Sequence, residues 1–285
     1  LVMSRSEVFR ATGPTSSTSM DIKIGMKKDG TITAGSGVFR LQGGAFPGAP
    51  MEFTAMCAFA PYNLQNVQQI GYDVLNNRPK QAAYRAPGSP MAAFAVESVI
   101  DELCNQLKLD PIEVRLKNAS KEGTKASFGP KWDRIGLVEC LESAKNHPHY
   151  SSPLLEGQGR GISSGFWFNH GGETAVTLAL SEDGTAALSV GTPDIGGSRA
   201  SMCQFVAEEL GIPYEKIRTT IADTATLGYN EISHGSRVTY ATGLATIKAA
   251  QDAIKKLCAR AANKWGIDED AVIWEDGCAK PSGPN

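Results

Sequence analysis

Twice in this chain a run of alternating apolar residues meets an Asp-Gly pair, turns back, and leads through a glycine-bearing loop into a helical stretch. Ile22, Ile24 and Met26 alternate with polar residues, Asp29-Gly30 supplies the turn, and Thr31-Ile32-Thr33 begins the return. Val176, Leu178 and Leu180 do the same before Asp183-Gly184, and Ala187-Leu188 leads back. Period two puts one face of each hairpin against a core, and Asp-Gly favours the tight turns that join antiparallel strands. A lone hairpin is not stable in water, so each needs the helix that follows it. The arrangement predicts an α+β fold of two related lobes, each with β-hairpins or sheet covered by helices on one side. Residues 147–161, rich in Pro, Ser and Gly, mark the border, giving lobes at 1–150 and 151–285.

Three loops share a composition: Arg85-Ala86-Pro87-Gly88-Ser89-Pro90, Gly196-Gly197-Ser198-Arg199 and His234-Gly235-Ser236-Arg237. Each runs into a helical pattern. Glycine allows close backbone approach, the first turn of a helix presents unpaired N–H groups, and arginine adds a planar donor fork. Singly, each arginine reads as a surface residue or a helix-end ion pair. Together the loops point to a large polyanionic or highly polar cofactor. The helix after the first loop is expected to have Ser89 as its N-cap, Pro90 in first position, and a stripe of Ala92, Val96, Val99, Leu103 and Leu107. Asp110-Pro111-Ile112-Glu113 starts a second helix as a capping box. Residues 200–210, stopped by Gly211 and Pro213, give a third helix and residues 239–265 a long fourth, with a strand over 217–222 between them.

A net charge of −2 exerts no global pull on nucleic acid or anionic membrane, so any anion site is local. No run of eighteen apolar residues occurs, and no membrane span is expected. Leu1-Val2-Met3-Ser4-Arg5 reads as a strand entering a loop in the interior of a longer protein. The six cysteines (Cys57, Cys104, Cys140, Cys203, Cys258, Cys278) include no C-x-x-C pair. They read as reduced structural thiols of a cytoplasmic protein rather than metal or cluster ligands. His147-Pro148-His149 reads as solvated loop, and His170 as either a pocket edge or a surface turn. Gly157-Gln158-Gly159-Arg160-Gly161 lacks dinucleotide-loop spacing and reads as linker. Asp194 and Asp223 read as carboxylates that fix loop geometry, or pair with Arg199 and Arg237, rather than as catalytic acids.

The stretch Ala83-Tyr84-Arg85-Ala86-Pro87-Gly88-Ser89-Pro90, followed by Ala95-Val96-Glu97-Ser98-Val99-Ile100-Asp101-Glu102-Leu103, resembles the molybdopterin-binding large subunit of the xanthine dehydrogenase/aldehyde oxidase family. Asp110-Pro111-Ile112-Glu113-Val114-Arg115-Leu116-Lys117-Asn118 resembles the continuation of that segment. Gly191-Thr192-Pro193-Asp194-Ile195-Gly196-Gly197-Ser198 looks like the family's second cofactor loop, and Gly235-Ser236-Arg237-Val238-Thr239 its third. The resemblance implies part of a molybdenum hydroxylase that oxidises an aldehyde or aromatic N-heterocycle with water-derived oxygen. It implies a molybdenum–molybdopterin cofactor in the intact parent, the cytosine dinucleotide being one form, with electrons passed to [2Fe–2S] and FAD partners. Carried over by position, Arg85, Ala86, Gly196, Gly197, Ser198, Gly235, Ser236, Arg237 and Thr239 contact the cofactor, and Pro87 lines the substrate side.

The family's Gly-Gly-x-x-Gly-Gly loop is expected before residue 1 and its catalytic glutamate, the general base, after Asn285. No catalytic residue and no metal ligand is therefore assigned here, and the isolated chain is expected to be inactive and cofactor-free. The second loop lacks the glutamine many members carry. Ala86 stands where carbon monoxide dehydrogenases of the family place a cysteine, which disfavours a Mo–Cu centre, and Pro87 replaces an aromatic of purine-oxidising members. Two readings of other classes stand beside this one. One is a binding module for a phosphorylated small molecule. The other is an assembly lobe whose residues 53–62 pack on an iron–sulfur subunit, buried core being the plainer reading of that run.

Overall fold

Ser4 and Glu7 decide how the chain starts. In the computed structural model, which describes residues 3–168 and 171–283, the Ser4 amide donates to Glu7 Oε2 (2.8 Å) and Ser4 Oγ accepts from the Glu7 amide (3.4 Å). This reciprocal capping box satisfies two orphan donors, so helix α1 (Arg5–Ala11) stands where the sequence suggested strand. Next come β1 (Thr18–Met26), β2 (Ile32–Gly44), α2 (Met51–Ala58) and β3 (Val67–Leu75). β1 pairs antiparallel with β2, and β3 returns parallel to β2 after the α2 crossover. The helices α3 (Ser89–Leu107), α4 (Pro111–Asn118), α5 (Leu137–Asn146) and the short α6 (Pro148–Ser151) complete this unit.

Ile22, Ile24 and Met26 of β1 face the same core as Phe39, Leu41, Phe59, Val96 and Ile100. Of the run 53–62, Cys57, Ala58, Phe59, Ala60 and Tyr62 are buried, so it is core of its own unit. On α3 the fully buried row is Ala92, Val96, Ile100 and Cys104 rather than the expected stripe through Val99, Leu103 and Leu107. Spacing of four keeps these residues in one ridge against the sheet. Asp110 caps α4 by accepting from the Ile112 (2.8 Å) and Glu113 (3.1 Å) amides. Glu113 departs from the capping-box expectation, its carboxylate pairing with Lys145 instead.

The second unit holds β4 (Val176–Leu180), β5 (Ala186–Val190), α7 (Ser198–Leu210), β6 (Ile217–Ile221), α8 (Gly243–Trp265), and a terminal hairpin of β7 (Val272–Glu275) and β8 (Cys278–Pro281). β4 pairs antiparallel with β5, and β6 lies parallel to β5. Leu188, Val190, Met202, Val206, Leu210 and Ala250 form its buried core. The long helix does not begin at residue 239 as a regular α-helix, because Val238–Thr242 make one π turn first. A Cβ on Gly243 would sit 2.8 Å from the Phe205 ring, so α8 starts in close contact with α7.

Each unit thus reads strand, strand, helix, strand, helix, with the third strand parallel to the second. The two Asp-Gly turns are near copies. Lys27 N donates to Thr31 O (2.9 Å) and Gly30 N to Lys27 O (2.9 Å), while Ser181 N donates to Thr185 O (2.9 Å) and Gly184 N to Ser181 O (3.0 Å). In both, a glycine at positive φ (83° and 76°) allows the reversal. Lys117 and Thr31 hydrogen bonds hold the Asp29 carboxyl well below the usual carboxylate range. The chain forms two compact units, Leu1–Trp167 and Phe168–Asn285. Residues 162–167 stay with the first unit because Phe166 packs on Trp132 (centroids 4.9 Å) and Ser164 bonds to Glu97. No disulfide forms among the described residues, and Cys57, Cys104 and Cys203 are buried.

Candidate functional site

The second loop is built to expose backbone. Gly196 (φ 64°) and Gly197 (φ 83°) both take the left-handed conformation, which glycine adopts at little cost. Nothing lies within 4 Å of where a Cβ would stand on either one. The loop is pinned from behind. Asp194 Oδ1 accepts the Arg199 amide (3.1 Å), Arg199 Nε lies 3.7 Å from Asp194 Oδ2, and Ser198 Oγ accepts the Ile195 amide (3.2 Å). Among the described residues no acceptor meets the Gly196 and Gly197 amides, so the start of α7 offers open N–H groups where the helix dipole favours negative charge.

At the third loop Ser233, Ser236, Arg237 and Thr239 line a cavity of about 250 Å³ that reaches Ile195, just before the second loop, while Gly196, Gly197, Ser198 and Gly235 are not among its lining residues. Gly235 (φ 59°) and Ser236 (φ 62°) are both left-handed. For serine that conformation is strained, and such residues cluster at functional sites. Arg237 lies wholly inside the unit. Its Nε donates to Gly171 O (2.7 Å), Nη1 to Glu231 O (3.1 Å) and Nη2 to Glu173 O (2.8 Å). The side chain therefore anchors the loop from beneath, and what the loop presents outward is backbone, Ser236 and Thr239. Asp223 does not pair with Arg237; its Oδ1 accepts the Ala225 amide (3.0 Å) and fixes its own turn.

The first loop belongs to the other unit. Its helix is capped by Gly88 (φ 84°), not by Ser89: a Cβ on Gly88 would collide with Thr54 Oγ1 of α2. Ser89 is the first helical residue, and its hydroxyl donates to Phe166 O (2.7 Å). Ala86 is left-handed (φ 50°), the second strained non-glycine residue on these loops. Arg85 is exposed and makes no hydrogen bond or ion pair among the described residues, and Pro87 is half-buried beside it.

By position in the repeat, the start of α2 corresponds to the start of α7. There a carboxylate from the chain itself is seated: Asp73 Oδ2 accepts the Gly48 (2.6 Å) and Ala49 (3.3 Å) amides.

Sequence reasoning assigned no role to two polar clusters. Asn230 Oδ1 accepts both the Ala175 amide (3.0 Å) and the Thr174 hydroxyl (2.7 Å), tying the third loop's approach to β4. Glu97, buried on α3, accepts from Tyr62 OH (2.5 Å), Arg115 Nε (2.8 Å) and the Ser164 amide (2.8 Å). Arg115, with no exposed surface, also reaches Asp101 (2.9 Å). Burial and the Glu97 charge push the Tyr62 phenol well up. A glutamate one step off an apolar helical stripe was the signal, but its partner lies on another helix.

Arg160 clamps the glycine-rich segment by donating to Tyr150 O (2.6 Å) and Ser152 O (2.7 Å), a structural role. His147 and His149 are exposed, and His170 lies outside the described residues. Among the described residues no group of three His, Cys, Asp or Glu side chains is placed to hold a metal, and no helix is long and apolar enough to cross a membrane.

Two molybdopterin cofactor-binding domain families match the chain, one over residues 1–119 and the other over 151–283. A xanthine dehydrogenase molybdenum-binding subunit of Escherichia coli O157:H7 is 28% identical over 287 residues, covering 91% of this chain and 37% of the relative. The aldehyde oxidoreductase of Megalodesulfovibrio gigas is 30% identical over 266 residues, covering 87% of this chain and 29% of the relative. The chain thus spans about a third of these relatives' length. The solved quinoline 2-oxidoreductase from Pseudomonas putida 86 has the same fold, with a TM-score of 0.84 over 99% of this chain and 40% of that one at 18% identity.

Proposed function

The chain belongs to the molybdopterin cofactor-binding domain family, and from that premise we propose that it forms part of the cofactor site of a molybdenum hydroxylase. The intact parent would oxidise an aldehyde or aromatic N-heterocycle and pass electrons to Fe–S and FAD partners. The observation that carries the reading is the second loop: open amides at Gly196 and Gly197, with no side chain in the way, at the start of a helix. Such a loop suits the phosphate or pterin end of the cofactor, which needs donors and close approach rather than bulk.

When bound, the cofactor supplies the redox-active metal and the oxygen-transfer chemistry. This chain's residues hold and orient it. Gly196, Gly197 and Ser198 would offer it backbone donors from the second loop, and Gly235, Ser236 and Thr239 would meet it from the third, which Arg237 holds rigid from inside. Arg85 brings an exposed guanidinium and Ala86 a strained backbone turn, while Pro87 lines the substrate side. None of these groups moves a proton. The general base of the resembled family has no counterpart assigned within these 285 residues, so no turnover is expected of them alone.

Metal analysis of the full-length parent tests the reading. Molybdenum near one equivalent supports it. A parent that binds phosphate compounds at the second loop and carries no molybdenum would be a simple phosphate-binding module instead.

A further inference from the structure

Residues 162–166 form a strap held to α3 at two points. The Ser164 amide donates to Glu97 Oε2 (2.8 Å), and the Ser89 hydroxyl donates to Phe166 O (2.7 Å). Ser89 is where the first loop becomes helix, and its amide closes back onto Ala86 O (3.0 Å) at the left-handed residue. Glu97 in turn is held on both oxygens: Oε1 accepts from Tyr62 OH, and Oε2 accepts from Arg115 Nε and the Ser164 amide, with Arg115 Nη2 2.8 Å away as an ion pair. Arg115 is itself held by Pro111 O (3.1 Å) and Asp101 (2.9 Å). A core ion pair needs no loop amide among its partners; this one includes Ser164.

We propose that Glu97 and Ser89 are positioning residues for the first loop. Glu97, fixed by Arg115 and Tyr62, seats the strap, and the strap sets the backbone of residues 86–89 through Phe166 and Ser89. The functional meaning of this linkage rests on the loop being a cofactor contact; the linkage itself is a property of the chain. It explains how a strained alanine is held at φ 50° beside an exposed arginine that bonds to none of the described residues. Strain of this kind persists only where surrounding bonds over-determine the backbone.

The test is NMR-detected amide exchange on the 285-residue chain, read at Ser164, at residue 89 and at Ile100 in the middle of α3. In Glu97→Gln the Ser164 and Ser89 amides are expected to exchange about tenfold faster relative to Ile100, the weight of roughly one hydrogen bond. In Ser89→Ala the residue-89 amide is expected to gain the same factor while Ser164 keeps its protection. Val96→Ala, a truncation of the same core that removes none of the strap's hydrogen bonds, speeds all three amides together and serves as the control. The proposal is overturned if residue 89 exchanges as in the wild type in both variants, or only in step with Ile100. If Glu97→Gln does not fold, Ser89→Ala against Val96→Ala decides. Expected exchange combined with unchanged molybdenum occupancy of the full-length parent carrying Ser89→Ala leaves the linkage standing and removes the cofactor role of the loop.

Discussion

Tyr150 sets its phenol 2.9 Å from both carboxylate oxygens of Asp110, the residue that caps α4. One carboxylate thus serves a helix start and a tertiary contact. Burial, then the hydrogen bond to Asp110, pushes the Tyr150 phenol up to about 12. An unfolded tyrosine ionises near ~10. Because the folded value is the higher one, the contribution is complete below about pH 10 and is lost as pH rises toward about 12. Phenolate absorbance titration should show a late-ionising tyrosine that is missing in Tyr150→Phe. An identical titration in that variant would remove the contact.

Arg237 should matter more to folding than its place on a glycine-bearing surface loop suggests. Arg237→Met removes a donor from three backbone carbonyls, of which Glu173 O keeps the Glu231 amide, and should cost about 2 kcal/mol or more. Arg237→Lys should recover little, since an ammonium cannot reproduce the planar fork. Denaturant unfolding followed by tryptophan fluorescence, to which Trp265 and Trp274 of the same unit contribute, reads this, and a wild-type midpoint in Arg237→Met would contradict the clamp.

Gly88→Ala should be among the most disruptive small changes in the first unit. The new methyl meets Thr54 Oγ1 and comes within 2.8 Å of Pro50 O, at φ 84°. Overpacking and left-handed strain together should cost roughly 3 kcal/mol. Thermal unfolding close to wild type would mean that α2 and α3 separate more readily than their packing implies.

Arg85→Ala should do the opposite. An exposed side chain that bonds to none of the described residues contributes within about 0.5 kcal/mol to stability. The circular dichroism spectrum and melting temperature should be unchanged, while molybdenum occupancy of the full-length parent falls. Full occupancy in the variant would remove Arg85 from the cofactor wall.

The hairpins were legible because Asp-Gly turns act within five residues. Thr31 gives both amide and hydroxyl to Asp29, and Thr185 does the same to Asp183. A third such turn, Asp276-Gly277 between β7 and β8, went unread because its strands are four residues long and show too little alternation. The Ser89 cap failed for a tertiary reason: α2 packs so closely that only glycine fits at the junction, and the hydroxyl is taken by the strap. Arginine is equally written in sequence whether it faces solvent, as Arg85 does, or is buried among carbonyls, as Arg237 is. The Glu97–Arg115 pair was hidden because neither side chain shows its burial locally. The loops themselves were visible; which of their atoms face outward was not.

Asp73 makes the two lobes unequal where their topology is equal. At the start of α2 the amides of Gly48 and Ala49 already hold an internal acid, whereas those of Gly196 and Gly197 meet no acceptor among the described residues. The second start has a carboxylate of its own, Asp194 on the Arg199 amide, but among the described residues the Gly196 and Gly197 amides beside it stay open. Duplicated architecture therefore does not mean duplicated surface chemistry: one helix start has its two leading amides closed by a side chain of the same unit, and the other leaves them uncovered among the described residues.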